Sequence, residues 1–198
     1  MIYFNNDYSE GCHPKILEAL ARTNYEQTLG YGEDEYCARA AEKIRALCGW
    51  EDAAVHFLVG GTQTNMTVIA ASLRPHQGAL CADSGHINTH ETGAVEATGH
   101  KVLPLPSQDG KIHAGQVREA VLSHRADASF EHTVQPKMVY ISNPTELGTL
   151  YTKAELTALR DTCRELGLYL FLDGARLGYG LMAKDNDLTL KGIGDCCD

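Results

Sequence analysis

Four times along this chain a short apolar run stops at glycine or polar residues, and a helical pattern or a turn follows. "AAVHFLVGG" leads into "TQTNMTVIAASL", "GALCA" into "DSGHINTHE", "KMVYIS" into "NPTELGTLY", and "LYLFLD" into "GARLGYG". Runs of that length read as strands, and strands separated by helices pair in parallel. The alternation therefore specifies an α/β domain with a mainly parallel sheet flanked by helices. "KVLPL" reads as an edge strand, because Pro104 cannot donate to a ladder. Helical spacing recurs in "HPKILEALARTNYEQ", with Pro14 suited to a first turn, and in "DEYCARAAEKIRALCG", where Asp34 can cap the start and Gly49 the end. "AGQVREAVLSHR" and "TKAELTALRDTCRELG" continue the pattern, and "NTHETGAVEATG" is a helix interrupted by glycine. "ADASFEHTVQP" has no such period and reads as a surface loop.

At 198 residues the chain has about one domain's length, enough for one sizeable core. A net charge of -9 argues against a nucleic-acid partner or an anionic membrane, both of which select clustered Lys and Arg. No apolar run approaches the roughly 20 residues of a spanning helix. "MIYFNNDYSEG" lacks the basic and apolar regions of a signal peptide, so a cytoplasmic location is expected. The seven cysteines form no C-x-x-C pair, which favours reduced thiols over a disulfide framework or a zinc site.

In open α/β sheets, ligands bind beyond the carboxyl ends of the strands. Four such ends here are polar or glycine-rich: "GGTQTN", "DSGHINTHE", "SNPTELG" and "DGAR". The first has the makings of a phosphate seat. Its glycines admit a ligand to the backbone, the next helix offers free N–H groups, and Thr62 adds a hydroxyl. The same residues equally suit a tight turn capped by Thr62. No Gly-Lys-Ser/Thr follows, and no G-x-G-x-x-G occurs, so nucleotide, nicotinamide and flavin sites find no support. In "DGAR", Asp173 is either a solvated helix cap or the partner of a heteroaromatic nitrogen that it keeps protonated. Arg176 suits either a surface ion pair or a bidentate grip on a carboxylate. His86 and His90 are four residues apart, but no H-E-x-x-H and no third ligand accompany them. A histidine after a strand can instead lie against an aromatic ring or act as a base.

Taken in order and spacing, these blocks resemble the low-specificity threonine aldolases, within the β-eliminating lyases of pyridoxal-phosphate fold type I. The likeness runs from "FNNDYSEGCHP" through "GYGEDE", "GGTQTN", "GHINTHETGAVEATGHKV" and "TELGTLYTKAEL" to "LFLDGARLG". It implies a three-layer α/β/α large domain and pyridoxal 5'-phosphate as cofactor. It implies a β-hydroxy-α-amino acid as substrate, cleaved to glycine and an aldehyde, and a homodimer or homotetramer. By the same resemblance Gly61, Thr62 and Gln63 form the phosphate turn, His86 stacks on the pyridine ring, and Asp173 meets the ring nitrogen. Arg176 then holds the substrate carboxylate, with Asn6 and Tyr31 near it, and Asn143 contacts the ring hydroxyl. No metal is implied.

Two departures stand out. Many of these aldolases carry Glu-Asn-Thr-His where this chain has Ser142-Asn143-Pro144-Thr145, so the histidine that assists the substrate hydroxyl is absent. That leaves the exact substrate and the preferred hydroxyl stereoisomer open; β-elimination of another amino acid, or transamination, is the rival reaction within the same cofactor class. The family's cofactor-binding lysine belongs to a Gly-Gly-Thr-Lys-like turn on the strand after "DGAR". The only lysines after that block, Lys184 and Lys191, lie in no such turn. The chain is therefore expected to be partial, comprising an N-terminal arm and helix (residues 1–33) and part of the large domain (34–198), without the C-terminal small domain. As such it is also open to reading as a non-catalytic fragment.

Overall fold

A computed structural model describes residues 10–198, which fall into two units, one ending at Ala40 and one running from Ala41 to Asp198. The first unit contains helix α1 (Pro14–Thr23), with Pro14 in its first turn and the His13 ring accepting from the Lys15 N–H. Helix α2 (Glu35–Cys48) follows; its start is capped as the sequence leads one to expect, with Asp34 Oδ1 accepting from Cys37 N at 2.9 Å. Gly49, in the left-handed region at φ 69°, ends it.

The second unit is built on four strands: β1 (Gln77–Ala82), β2 (Lys101–Leu105), β3 (Gln135–Ser142) and β4 (Tyr169–Asp173). Every pairing is parallel, and the order across the sheet is β2-β1-β3-β4. Pro104 does lie on an edge strand. The chain leaves β1 toward β2, returns across it to β3, and continues outward to β4. The carboxyl ends of β1 and β3 thus flank the point where the winding reverses, the usual ligand crevice of such sheets.

Six helices accompany the sheet before the last turns: α3 (Gly61–Ser72), α4 (His86–Thr89), α5 (Ala94–Ala97), α6 (Ala114–Ala126), α7 (Lys153–Leu166) and α8 (Leu177–Leu181); α9 (Leu190–Gly194) ends the series. Side-chain alternation along the strands sorts the core into two layers. On one face Leu80, Ala82, Val139, Ile141 and Leu170 pack with Val117 and Val121 of α6 and Leu156, Leu159 and Cys163 of α7. On the other, Ala79, Cys81, Met138 and Tyr140 pack with Ile69 of α3, Ile87 of α4 and Val95 of α5. Each strand is covered on both sides, so the sheet is the middle of a three-layer α/β/α arrangement.

Two expectations fail locally. Residues 53–59, the "AAVHFLV" run, form no strand. A strand exists only through its ladder, and this run finds none among the described residues; Phe57, Leu58 and Val59 are exposed instead. Thr62 does not cap α3. The N-cap is Gly60, with no side-chain cap of its own, and Gln63 reaches back so that its Oε1 accepts from Val59 N at 3.1 Å.

Candidate active site

Period two along β4 puts Asp173 on the same face as Phe171, toward α3 rather than α7. There it is held by three donors. Tyr140 Oη donates to Asp173 Oδ2 at 2.6 Å, Asn65 Nδ2 to the same oxygen at 3.2 Å, and Ala175 N to Oδ1 at 3.0 Å. Tyr140 is buried in the sheet layer, and burial first, then the nearby Asp173, pushes its phenol well above the ordinary range. Its hydroxyl therefore stays a donor at any physiological pH. The register that pairs Ser142 with Asp173 brings the ends of β3 and β4 level, and Asn143 N extends the ladder by donating to Asp173 O at 3.0 Å.

Across the crevice, β1 ends at Ala82 and a turn delivers His86 at the first position of α4. Two carboxyl groups fix this histidine. Glu146, in the loop after β3, accepts from His86 N at 2.9 Å and from Ser142 Oγ at 2.6 Å, both on Oε1, and so ties the β1 loop to the β3 loop. Glu91 Oε1 meets His86 Nδ1 at 2.9 Å. The His90 ring stacks on His86 with centroids 5.6 Å apart and planes 22° apart. His86 keeps 37% of its side-chain surface exposed, while the Glu91 side chain is fully buried.

The amino end of α3 supplies a third edge. Gly61, Thr62 and Gln63 form its exposed first turn, where backbone N–H groups lack intrahelical partners. A Cβ on Gly60 or Gly61 would meet no atom within 4 Å, so the backbone here is open to a ligand. One turn further along the same helix face, buried Asn65 donates to both Asp173 and Glu91. A single amide thus joins α3, the end of β4 and the His86 loop.

Asn143 is buried, and its Oδ1 accepts from Tyr151 N at 3.0 Å, which leaves the side-chain amide as the group able to donate. Arg176, half-buried, stands at the N-cap of α8 just after Asp173. Tyr31 lies in the first unit, fully exposed and at φ 62°, a conformation that is uncommon outside glycine. Asn6 lies outside the described residues. Asn65, Tyr140 and Glu146 were not singled out from sequence, and Glu91 only as a neighbour of the histidine pair. A period argument could have flagged the first two: Asn65 sits between Gly61 and Ile69 on one helix face, and Tyr140 shares strand parity with Ser142.

A model of one family, "Beta-eliminating lyase", matches residues 7–188. The chain belongs to the beta-eliminating lyases. Relatives in that family include the low specificity L-threonine aldolase of a Pseudomonas species, 35% identical over 175 residues, which are 87% of this chain and 49% of the relative. The corresponding aldolase of Saccharomyces cerevisiae is 29% identical over 93% of this chain and 46% of its own length. Among solved structures, the threonine aldolase of Leishmania major superposes with a TM-score of 0.93 at 52% identity, over 98% of this chain and 55% of that one. The chain spans about half the length of the curated relatives it matches. Its fold is the large-domain fold expected of a pyridoxal-phosphate fold type I protein. Among the described residues, no helix is long and apolar enough to cross a membrane.

Proposed function

We propose that the protein carrying this chain is a pyridoxal-phosphate-dependent lyase that cleaves a β-hydroxy-α-amino acid such as threonine to glycine and an aldehyde. The observation that carries the reading is the setting of Asp173. It is an acid at the end of β4, held by Tyr140, Asn65 and Ala175 and joined through the Asn65 amide to α3 and to Glu91 beside His86. Membership of the beta-eliminating lyases and the aldolase names of the relatives support it.

The donor set fits the cofactor. The open turn at Gly61, Thr62 and Gln63 offers N–H groups and a hydroxyl to a phosphate. Asp173 Oδ1 has a single neighbour N–H and retains acceptor capacity for a ring N–H. His86 offers an exposed imidazole to the ring face, and the Asn143 amide is assigned to the ring hydroxyl. Pyridoxal phosphate, when bound, supplies an electron-accepting ring.

The protein's own groups do the rest. Asp173 keeps a proton on the ring nitrogen, Arg176 binds and orients the substrate carboxylate, and Asn6 and Tyr31 assist there. His86, or a water it orients, takes the proton of the β-hydroxyl as the Cα–Cβ bond breaks. Neither Lys184, in a turn after α8, nor Lys191, paired with Asp195 on α9, follows a strand. The covalent lysine is accordingly assigned to the part of the relatives that this chain does not span. A cytoplasmic homodimer or homotetramer belongs to the same reading. The test is a panel of amino acids given to the full-length protein with pyridoxal phosphate. Aldehyde and glycine from threonine are expected; ammonia and a keto acid as the main products would replace aldol cleavage by elimination.

A further inference from the structure

Glu91 is the least explained group in the crevice. Its side chain is fully buried, Oε2 has no hydrogen-bond partner among the described residues, and none of the roles above uses it. Leaving a buried polar atom unpaired forfeits its hydration without a replacement bond, so a residue placed this way calls for a compensating purpose. Its other oxygen is shared. Oε1 meets Asn65 Nδ2 at 2.7 Å and His86 Nδ1 at 2.9 Å. The second hydrogen of the Asn65 amide points to Asp173 Oδ2 at 3.2 Å.

The orientation of Asn65 is fixed by chemistry, because only its NH2 side can face two carboxyl oxygens at once. Glu91 Oε1 is therefore an acceptor toward Asn65. With Glu91 as a carboxylate the same oxygen accepts again toward His86, and Nδ1 then carries the hydrogen. A histidine that donates through Nδ1 leaves Nε2 with the lone pair when neutral. Glu146 holds the backbone of the same residue and His90 covers one ring face, so the ring's position is set from three sides.

We infer that Glu91 is a positioning residue: it locks His86 in the Nδ1–H tautomer, making Nε2 the proton-accepting atom, and through Asn65 it ties that base to Asp173. The catalytic part of this inference rests on the lyase reading above. Base and acid are then not independently placed. A shift of one carboxyl group would disturb both the atom that takes the substrate proton and the acid assigned to the cofactor nitrogen. Such tautomer control by a buried acid is worth a large factor in catalysis, because the wrong tautomer presents a hydrogen where a lone pair is needed.

The experiment uses the full-length protein with nitrogen-15-labelled histidine, with and without pyridoxal phosphate, the His86 signal being the one missing from His86→Asn. Wild type is expected to show protonated Nδ1 and bare Nε2 at a pH where the ring is neutral; the opposite tautomer overturns the inference. Glu91→Met keeps the length of the side chain and removes the acceptor, so the Nδ1–H signature should be lost or mixed. Its kcat should fall roughly 10²-fold while KM for the amino acid changes little. An unchanged signature with unchanged kcat overturns the inference. Should Glu91→Met not fold, Glu91→Asp, with its carboxyl drawn back by one methylene, is read in the same way. Failure of the lyase reading is separable: a wild type that binds no pyridoxal phosphate ends that reading, whereas the tautomer measured without cofactor still decides this one.

Discussion

Tyr140 shows how one side chain ties the core to the crevice. Its ring sits in the layer between the sheet and α3, edge-on to Phe171 with centroids 5.4 Å apart, while its hydroxyl reaches Asp173. Tyr140→Phe keeps the packing and removes the donor, leaving Asp173 Oδ2 with the Asn65 amide at 3.2 Å. The expected loss is about 1–2 kcal/mol of stability by urea unfolding, together with weaker retention of pyridoxal phosphate in dialysis. A variant as stable and as well loaded as wild type would show that the hydroxyl does not hold Asp173. Asp173 was legible in sequence because it ends an apolar run, and His86 because it stands in the polar turn just after one, positions where such side chains are conspicuous. Asn65, Glu91 and Glu146 were not, because the contacts that join the strand ends, Asn65 with Glu91 and Asp173 and Glu146 with His86, span 26, 108 and 60 residues and depend on the sheet order.

Among the elements, α7 is the most fully specified by local sequence. Thr152 and Glu155 form a reciprocal capping box, and Gly167 closes the other end at φ 69°. Leu156, Leu159, Cys163 and Leu166 lie on the buried stripe. Thr152→Ala should cost about 1 kcal/mol through the lost cap. Gly167→Ala should cost about 1–2 kcal/mol although a Cβ there meets nothing within 4 Å, because the whole penalty is backbone conformation. Thermal or urea unfolding checks both, and a neutral Gly167→Ala would remove the conformational argument. The strands were legible as apolar runs, with one exception. The run at residues 53–59 has strand composition, but composition cannot supply a neighbour, and among the described residues it has none.

For the molecule as a whole, three exposed carboxyl groups favour the folded state at neutral pH. Asp127 is held below the usual carboxylate range by the Ser129 N–H, Glu165 by the Arg118 guanidinium, and Asp195 by Lys191. Each has a folded-state value below its unfolded one, so its contribution is present above about pH 4 and is lost as pH falls further. Stability measured by urea should therefore decline on the acid side of pH 5; a flat profile down to pH 3 would contradict this. Burial pushes the thiols of Cys81 and Cys163 up to about 12, whereas Cys12 is exposed. A thiol reagent at pH 8 should modify Cys12 and spare Cys81 and Cys163 until the protein unfolds; early loss of either buried thiol would mean the layers open readily. The alternation of apolar runs with helical patterns was sufficient to place the chain among α/β proteins, but not to show which strand end faces which.

In the proposed function the Asp173 carboxylate keeps the ring nitrogen of pyridoxal phosphate protonated. The most direct measurement compares Asp173→Ala with wild type in the full-length protein, following cofactor binding by visible absorbance and threonine cleavage by aldehyde release. Cleavage should be abolished in the variant while part of the cofactor remains bound. Near-normal turnover in Asp173→Ala would contradict the central claim.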